Sequence, residues 1–465
     1  MLTTGELQGV WWLPGSPEHV VSGTLTLAEN ERPTLLVVGP IDPKFDLATG
    51  LGTLLGRTQD LPFVFGRAAD GKKITLSNVR LGIRQLHLDD PRSAIFELVG
   101  WSAFVGAHAD PDKAVFKQAD VVLERLADWL DERAMDLEVT PSRQDARRIS
   151  IIGELPGTTR VAVEGGEFLA RTNLASSGDF RRTATLTMKP SLRITLNEAI
   201  TTDAWFKTWL VPTQRLVALA TSLPIEIERL ELTSPDDHQC EFWWPRALRA
   251  GTPDRLLMPD EVLFTLPDLN KGDLAEHLRC WLSATTRFEP VLNMFFATRY
   301  AERMFEEDRF QNLIQAVEAY HRRVSGARPN QVEHEKRAKA LLATVPAEHR
   351  EWLSEVLETT KEFRLSDRIE ALLNDHPWMV DDVIPHNLHR WAVRAAMARN
   401  FRAHHDPDAT PIGTNVDDLV GFNQRLATLL EACFLHELGL PEDRVREMIR
   451  RASPGYRMLK LNPDL

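Results

Sequence analysis

The sequence predicts an α+β protein, in which a β-rich N-terminal region of antiparallel sheets precedes an all-α helical bundle. In the first half of the chain, short runs of β-branched and aromatic residues lie between Gly, Pro and Asp breakers, as is typical of antiparallel strands. After Gly272, apolar residues recur at helical spacing almost to the end. We therefore place the domain boundary near residue 270, giving a β-rich region 1–270, divisible near residue 145, and a helical region 271–465.

The N-terminal region is predicted to contain two groups of strands. The first group comprises Val20–Leu27, Thr34–Val38, Lys73–Leu76 and Ile95–Val105. A helix is expected over Lys117–Glu132, because one side of it would be apolar through Val121, Val122, Leu126, Trp129 and Leu130. The second group comprises Arg148–Ile152, Arg160–Val163, Glu167–Arg171 and Thr183–Met188. Asp203 is expected to cap a further helix, and Ile225–Leu232 is expected to pair with Cys240–Trp244.

The C-terminal region is predicted to be helical almost throughout. Apolar residues recur every three or four positions in each predicted helix. The expected helices are Leu274–Leu282, Val291–Met304, Phe310–Val324, Arg337–Leu342, Trp352–Phe363, Leu365–Leu373, Asn387–Ala403 and Val416–Leu438.

The composition is that of a protein with substantial cores, because 43% of the 465 residues are hydrophobic and 12 are tryptophans. The net charge of −12 argues against a protein that coats nucleic acid through a basic surface, so an RNA site would have to be locally basic. Two arginine-rich stretches are candidates. One is Arg390, Arg394, Arg399 and Arg402, and the other is the tail with Arg444, Arg446, Arg450, Arg451, Arg457 and Lys460.

The three cysteines, Cys240, Cys280 and Cys433, lie too far apart for a zinc motif or a disulfide framework, which indicates a reducing compartment. The N-terminus lacks the basic and apolar runs of a signal peptide, and no stretch approaches the roughly 20 apolar residues of a membrane span. We therefore expect a cytoplasmic location and no membrane partner.

A short run near the C-terminus, from Arg399 and Asn400 to His404, combines groups suited to chemistry at phosphate. A guanidinium can hold two phosphate oxygens, and an imidazole can move protons near neutral pH, so RNA cleavage is the reaction that this run suggests. The spacing alone is weak, because Arg328 and His334 have a similar separation. We expect that second pair to lie in a loop, since a glycine and a proline accompany it.

The geometry of a helix restricts how this run could act. Asn400 and His404 share a face of an ideal helix, whereas Arg399 and His404 lie about 140° apart around its axis. Both can therefore reach one phosphate only if the helix loosens at its end or if a second subunit contributes.

A metal site is a weaker interpretation of the nearby histidines. His386 and His389 begin this helix, whereas His404, His405 and Asp406 follow at its end, about 20 to 30 Å away. A single metal cannot bridge that distance within one chain. We expect neither a metal nor another cofactor.

The run from Arg399 to His404 resembles the active-site motif of the HEPN superfamily, whose all-helical domains carry an arginine, usually followed by a polar residue, shortly before a histidine. The segment Arg309–His321 resembles the long first helix of an ApeA-type HEPN domain. Further motifs occur in the order seen in ApeA N-terminal domains: Gly9-Val10-Trp11-Trp12-Leu13-Pro14, Gly23-Thr24-Leu25-Thr26-Leu27, Leu54-Leu55-Gly56 and Gly71-Lys72-Lys73-Ile74-Thr75-Leu76.

This resemblance implies a HEPN endoribonuclease of bacterial anti-phage defence, acting by abortive infection. RNA would be cut without a metal, by attack of the ribose 2′-hydroxyl on its own phosphate. His404, or alternatively His405, would act as general acid or base. Arg399 would hold the phosphate, Asn400 would orient the phosphate or the histidine, and Glu318 would support Arg399.

The resemblance also implies partners. A homodimer or higher homo-oligomer would form through the HEPN domain. The substrate would be RNA, for which the basic residues Arg390, Arg394 and Arg402 are the candidate contacts because of their charge. The N-terminal region would sense a phage-derived trigger or regulate the nuclease.

Other interpretations remain open. The helical region could be a non-catalytic HEPN interaction module that binds a protein or nucleic-acid partner, or an accessory protein of phosphoryl or nucleotidyl transfer. The aromatic pairs Trp11-Trp12 and Trp243-Trp244 could bind a ligand, but core packing explains them better, since neighbours on a strand face opposite sides. Gly71-Lys72-Lys73 is interpreted as a hairpin turn, because the rest of a P-loop is missing.

Overall fold

The structure of the protein is a computed structural model that describes residues 5–29, 31–45, 59–85, 93–131, 136–141, 147–152, 157–179, 183, 185–246, 255–325, 331–359, 363–385, 387–404 and 415–462. The chain divides into two compact units, Met1–Gln214 with Ile225–Ala250 and Arg215–Pro224 with Gly251–Leu465. The first unit is rich in antiparallel strands and the second is helical, which confirms the predicted α+β class. The boundary at residue 270 stays a prediction.

The described strands of the first unit are all antiparallel to their neighbours. In chain order they are β1 (Gly5–Trp12), β2 (Val21–Leu27), β3 (Thr34–Val38), β4 (Gln59–Ala68), β5 (Lys73–Gln85), β6 (Ile95–Val99), β7 (Ser102–Val105), β8 (Val115–Leu123), β9 (Asp136–Pro141), β10 (Arg147–Ile152), β11 (Thr159–Val163), β12 (Gly166–Ser177), β13 (Thr185–Thr201), β14 (Ile227–Thr233) and β15 (Gln239–Trp243). The predicted run Ile95–Val105 is divided between β6 and β7 at Gly100-Trp101.

Six of these strands close into a barrel in the order β1-β2-β3-β6-β5-β4. Closure depends on the long strand β5, whose first half pairs with β7 and whose second half, from Arg80, pairs with β6. Trp11 fills the barrel core and is fully buried. A Cβ atom at Gly66 would lie 2.1 Å from the Trp11 ring, so β4 needs a glycine there.

The predicted helix over Lys117–Glu132 is wrong. Its first part is the strand β8, and only the short helix α1 (Leu126–Trp129) follows. Burial alternates along β8, with Ala119, Val121 and Leu123 inside, and the strand pairs with β13 on one side and β14 on the other. Two ladders of backbone hydrogen bonds thus override a spacing of apolar residues that also fits a helix.

The helical segment after β13 begins two residues earlier than expected. Thr201 is the N-cap, and its hydroxyl accepts a bond from the amide of Ala204 at 3.4 Å, whereas Asp203 lies in the first turn. The segment consists of α2 (Thr202–Trp205), a π-helical turn (Phe206–Leu210) and α3 (Val211–Thr221).

The second unit contains the helices that the apolar spacing predicted, together with shorter ones that it missed. Those matching predictions are α5 (Leu274–Arg287), α6 (Glu289–Tyr300), α7 (Glu306–Ser325), α8 (Gln331–Thr344), α9 (Ala347–Thr359), α10 (Leu365–Asp375), α12 (Leu388–His404) and α13 (Val416–Glu437). Those missed are α4 (Leu266–Asn270), α11 (Pro377–Val383), α14 (Glu442–Ala452) and α15 (Pro454–Leu461). Among the residues described, no helix is long and apolar enough to cross a membrane.

The core of this unit forms around α13, where Phe434 contacts Phe295 of α6 and Tyr320 of α7, with ring centroids 5.1 and 6.4 Å apart. Glu431 of α13 is 1% exposed and is held by Arg299 and by the Ser453 hydroxyl. Because this buried carboxylate has charged and neutral donors, α6, α13 and α15 are tied together at one point.

Candidate functional site

The helix that carries the proposed motif is α12. Its buried side consists of Trp391, Ala392, Ala395 and Ala398, and the Trp391 ring lies 5.9 Å from that of Phe422 on α13. Asn387 caps the helix, because its side-chain oxygen accepts from the amide of Arg390 at 2.9 Å. Met397 is 44% exposed.

Arg399 and Asn400 lie on the partly exposed side of α12. Arg399 is half-buried, Asn400 is exposed, and Nη1 of Arg399 donates to the side-chain oxygen of Asn400 at 3.2 Å. The helix continues through His404, so positions 399 and 404 keep the separation of about 140° around the axis. The helix therefore does not loosen within the motif. His405 lies outside the described residues.

The predicted RNA-binding arginines have different surroundings. Arg390 is exposed and has no ionic partner in the described parts of the chain. Arg394 forms a long ion pair with Asp418 at 3.5 Å. Arg402 has a side chain that is only 16% exposed and lies 3.7 Å from Glu307 at the start of α7. The charge of Arg390 is therefore the most accessible to a phosphate, and that of Arg402 the least.

Glu318 accepts from Arg322, one turn further along α7, at 3.2 Å. No bond joins Glu318 to Arg399 within the described part of this chain. Its cationic partner is instead Arg322, which lies four residues further along the same helix. The support of Arg399 by Glu318 stays a prediction.

A buried pair that the sequence did not reveal lies between α7 and α10. His321 and Arg368 are 1% and 0% exposed, and Nη1 of Arg368 lies 3.1 Å from Nδ1 of His321. Burial and the charge of Arg368 lower the pKa of His321, so its imidazole is neutral and accepts the bond. The only signal in the sequence is that Arg368 occupies an apolar position of its helix, next to Ile369 and Leu372. Since α10 packs against α12, this pair helps to position the motif.

A Cys-His-Glu arrangement occurs elsewhere in this unit. The Sγ atom of Cys433 is 4.0 Å from Nε2 of His376, whose Nδ1 lies 2.9 Å from Glu442. Burial raises the pKa of the Cys433 thiol far above its usual range, and Glu437 raises it further. The thiol therefore stays protonated, and the group serves packing rather than nucleophilic catalysis.

Most of the residues considered for a metal, including His405 and Asp406, lie outside the described residues. His389 bonds Glu370 at 2.6 Å, and His386 lies outside the described residues. The described ranges contain no group of three or more His, Cys, Asp or Glu side chains that could hold a metal ion. The pair of Arg328 and His334, which has a spacing similar to that of the motif, was expected to lie in a loop. His334 instead lies in helix α8.

The arginine-rich tail is bound to its own chain. Arg450 donates to both carboxylate oxygens of Asp382 at 2.7 and 2.8 Å. Arg451 donates to the carbonyl of Leu263 at 2.8 Å, and Arg457 donates to that of Asp260 at 3.1 Å. These cations stabilise the folded helical unit, which leaves them less available to RNA.

The aromatic pairs and the Gly71 turn have structural roles. Trp11 and Trp243 are buried, while Trp12 and Trp244 are half-buried. Gly71, with φ of +88°, lies in the turn between β4 and β5, as predicted.

Comparison with known proteins gives two family matches. The family model described as ApeA N-terminal domain 1 matches residues 6–281, which is more than half of the chain. The model described as Apea-like HEPN matches residues 311–444, a range that includes Glu318 and the run from Arg399 to His404. No curated protein and no solved structure matches the chain.

Proposed function

This chain belongs to the ApeA-like proteins, and on that premise we propose that it is a metal-independent endoribonuclease of anti-phage defence. The observation that carries the proposal is the run from Arg399 to His404 on α12, inside the part that matches the HEPN family. Arg399 is half-buried on this helix, and its described hydrogen bond goes to the neighbouring Asn400. A guanidinium with no carboxylate partner is suited to binding a phosphate.

The reaction needs two proton transfers and stabilisation of charge. The 2′-hydroxyl loses its proton to a base and attacks phosphorus, and the bond from phosphorus to the 5′-oxygen breaks. The leaving oxygen takes up a proton, which leaves a 2′,3′-cyclic phosphate and a 5′-hydroxyl. His404 serves as acid or base in these transfers, and Arg399 stabilises the negative charge that develops on the phosphate oxygens.

The active unit is a dimer. Within one chain, positions 399 and 404 lie about 140° apart on a continuous helix, so a single copy cannot direct both groups at one phosphate. Two copies of α12 meeting at one cleft would supply two arginines and two histidines. An arginine of one copy can then act with a histidine of the other.

The surface that we assign to the second copy is the hairpin of α8 and α9. None of its described side chains is buried, and Leu341 and Trp352 are 43% and 65% exposed. Helices of this length gain most of their stability from packing an apolar face, so the exposed apolar side chains of this pair are suited to contact with a partner. The following helix, α10, packs against α12 and bonds His389 through Glu370, which connects the hairpin to the motif.

Charge favours a second copy of the same chain on this hairpin. Helix α8 carries three basic and two acidic residues, whereas α9 carries four glutamates and one arginine. A two-fold axis that places α8 of one copy over α9 of the other brings unlike charges together around the exposed apolar side chains.

The first experiment is RNA cleavage by the purified protein with EDTA present, followed by chemical mapping of the new ends. Wild type should leave cyclic or 3′-phosphate ends, and the ends should disappear with Arg399→Ala and with His404→Ala. Loss with His405→Ala but not with His404→Ala would move the acid or base by one residue. RNA binding without cleavage in cells under phage infection would favour the non-catalytic interaction module.

The dimer is tested separately by light scattering and by mixing variants. The double variant Leu341→Glu, Trp352→Glu should be a folded monomer with greatly reduced cleavage. Arg399→Ala and His404→Ala, produced together in one cell, should regain activity that neither has alone, because mixed dimers hold one intact copy of each group. A double variant that remains dimeric would refute the assigned surface, and an absence of recovery would contradict a shared cleft.

A further inference from the structure

A groove on the outer side of the β-barrel has the side chains of a nucleotide site. It has a volume of about 510 Å³ and is lined mainly by Arg32, Asp60, Asn78, Arg80 and Trp101. This volume lies within the usual range for small-molecule sites in proteins. All of these residues belong to the β-rich unit, whereas the motif on α12 belongs to the helical unit.

Trp101 is presented on a rigid backbone. It lies between β6 and β7, where β5 changes partners, and its amide donates to the carbonyl of Ser77 at 2.9 Å. The amide of the preceding Gly100 donates to the carbonyl of Pro33 at 2.8 Å. The indole nevertheless is 54% exposed. An aromatic ring held in place but left in solvent is a surface on which another planar group can stack.

The positive charges of the two groove arginines are only weakly paired with carboxylates in the described ranges. The guanidinium carbon of Arg32 lies 4.8 Å from the centroid of the Trp101 ring, and no carboxylate pairs with Arg32 in the described ranges. Arg80 and Asp60 are joined only by a 3.8 Å contact, and their side chains are 64% and 79% exposed. An exposed pair at this distance contributes little stability, so Arg80 can turn to an anion at small cost.

We propose that this groove binds a nucleotide unit, meaning a nucleobase linked to a phosphate. The base stacks on the Trp101 indole or on the guanidinium plane of Arg32, as bases do on aromatic and arginine planes. Arg80 and Arg32 hold the phosphate through charge-assisted hydrogen bonds. Asn78 offers an amide to the edge of the base, and Asp60 accepts from a base amino group or a ribose hydroxyl.

The combination favours this ligand over a peptide. A peptide strand would require an unpaired strand edge, whereas Arg80 of β5 and Val99 of β6, which line the groove, are each paired on both sides. Stacking surfaces next to two cations match a base and its phosphate. The same chemistry is present in a free mononucleotide and in single-stranded nucleic acid.

The test is isothermal titration of the full-length protein with AMP, ATP and a short single-stranded DNA, which HEPN chemistry cannot cleave because it lacks the 2′-hydroxyl. Trp101→Ala should weaken binding by about 10-fold to 100-fold, in keeping with the loss of one stacked base. Arg32→Ala and Arg80→Ala should weaken it less. Arg67→Ala is the matched control, since Arg67 is exposed on β4 outside the groove.

Each result decides the proposal. Binding of AMP or ATP that depends on Trp101 identifies a mononucleotide site, and binding of the DNA alone with the same dependence identifies a site for single strands. Unchanged binding in Trp101→Ala, or no binding of any probe at millimolar concentration, would overturn the proposal. Because the titration does not depend on cleavage, its failure is distinguishable from failure of the proposed nuclease. An unchanged melting temperature for Trp101→Ala confirms that the fold is intact.

Discussion

Two segments of the helical unit are similarly rich in arginine, but their arginines differ in how closely they are paired within the chain. On α14 and α15, Arg450 and Arg451 reach a carboxylate and backbone carbonyls of the same chain. On α12, Arg390 is exposed without an ionic partner in the described ranges, and Arg399 donates to its neighbour Asn400. An arginine held by a carboxylate or by backbone carbonyls of its own chain stabilises the fold, whereas one without such a partner can bind an anion. Partner geometry, and not the number of arginines, therefore distinguishes a structural basic segment from a candidate phosphate site.

The largest expected effect is the loss of RNA cleavage when Arg399 or His404 on α12 is replaced. Replacing Arg399 or His404 by Ala should lower the RNA cleavage rate by about 100-fold or more, because each removes a group that acts in the transition state. Arg399→Lys should remain impaired, since an ammonium cannot replace the planar guanidinium. The melting temperature should change little. Cleavage within about twofold of wild type in Arg399→Ala would remove this arginine from the mechanism.

The next effect concerns stability. Arg450→Ala should lower the free energy of unfolding by about 1 to 2 kcal/mol, because it leaves Asp382 without its bidentate partner; the partial exposure of Arg450 keeps the loss moderate. Thermal or urea unfolding measures this change. Arg390→Ala is the matched control on α12 and should leave stability within about 0.5 kcal/mol of wild type. Equal losses of unfolding free energy in the two variants would show that Arg450 stabilises the fold no more than Arg390 does.

RNA affinity should depend on an arginine of α12 more than on an arginine of the tail, which is the reverse of the order expected for stability. Arg390→Ala should weaken binding of RNA a few-fold and reduce the slope of log affinity against log salt by about 0.7, as expected for one lost contact to a single strand. Arg457→Ala, in the tail, should leave the slope unchanged because its guanidinium is bonded to the carbonyl of Asp260. Binding measured in a cleavage-inactive His404→Ala background avoids loss of substrate. A larger slope change for Arg457→Ala would place RNA on the tail.

The smallest effect is a pH dependence at the buried pair of His321 and Arg368. Burial, and then the charge of Arg368, hold the pKa of His321 below 6.5, so the unfolded chain binds this proton more readily than the folded one. The contribution of the neutral imidazole is complete above pH 6.5 and is lost as the pH falls towards the folded pKa.

His321→Gln supplies an acceptor for Arg368 that does not titrate in this window. Urea unfolding at pH 5 and pH 7.5 should therefore show a smaller loss of stability for the variant than for wild type. Equal losses would mean that His321 is not the group that titrates.

The sequence predicted more of the helical unit than of the β-rich unit. The long helices α7, α12 and α13 were found within a few residues, because an apolar side with a period of 3.6 residues is a local signal. Strand β8 was mistaken for a helix, since its pairing with β13 and β14 involves residues that are distant in the chain. Short helices such as α15 were missed because eight residues span little more than two turns, which is too few to establish a helical period.

For the candidate site, the sequence by itself determined the residue types and their order: an arginine, an asparagine and a histidine on one amphipathic helix, in a chain with ApeA-like motifs. Only the tertiary structure decided which charges are free. It paired Arg402 with Glu307 and Arg450 with Asp382, and it left Arg390 and Trp101 exposed. The physical reason is that helical and strand periodicity are local properties of the chain, whereas ion pairing and burial depend on side chains brought together from distant positions.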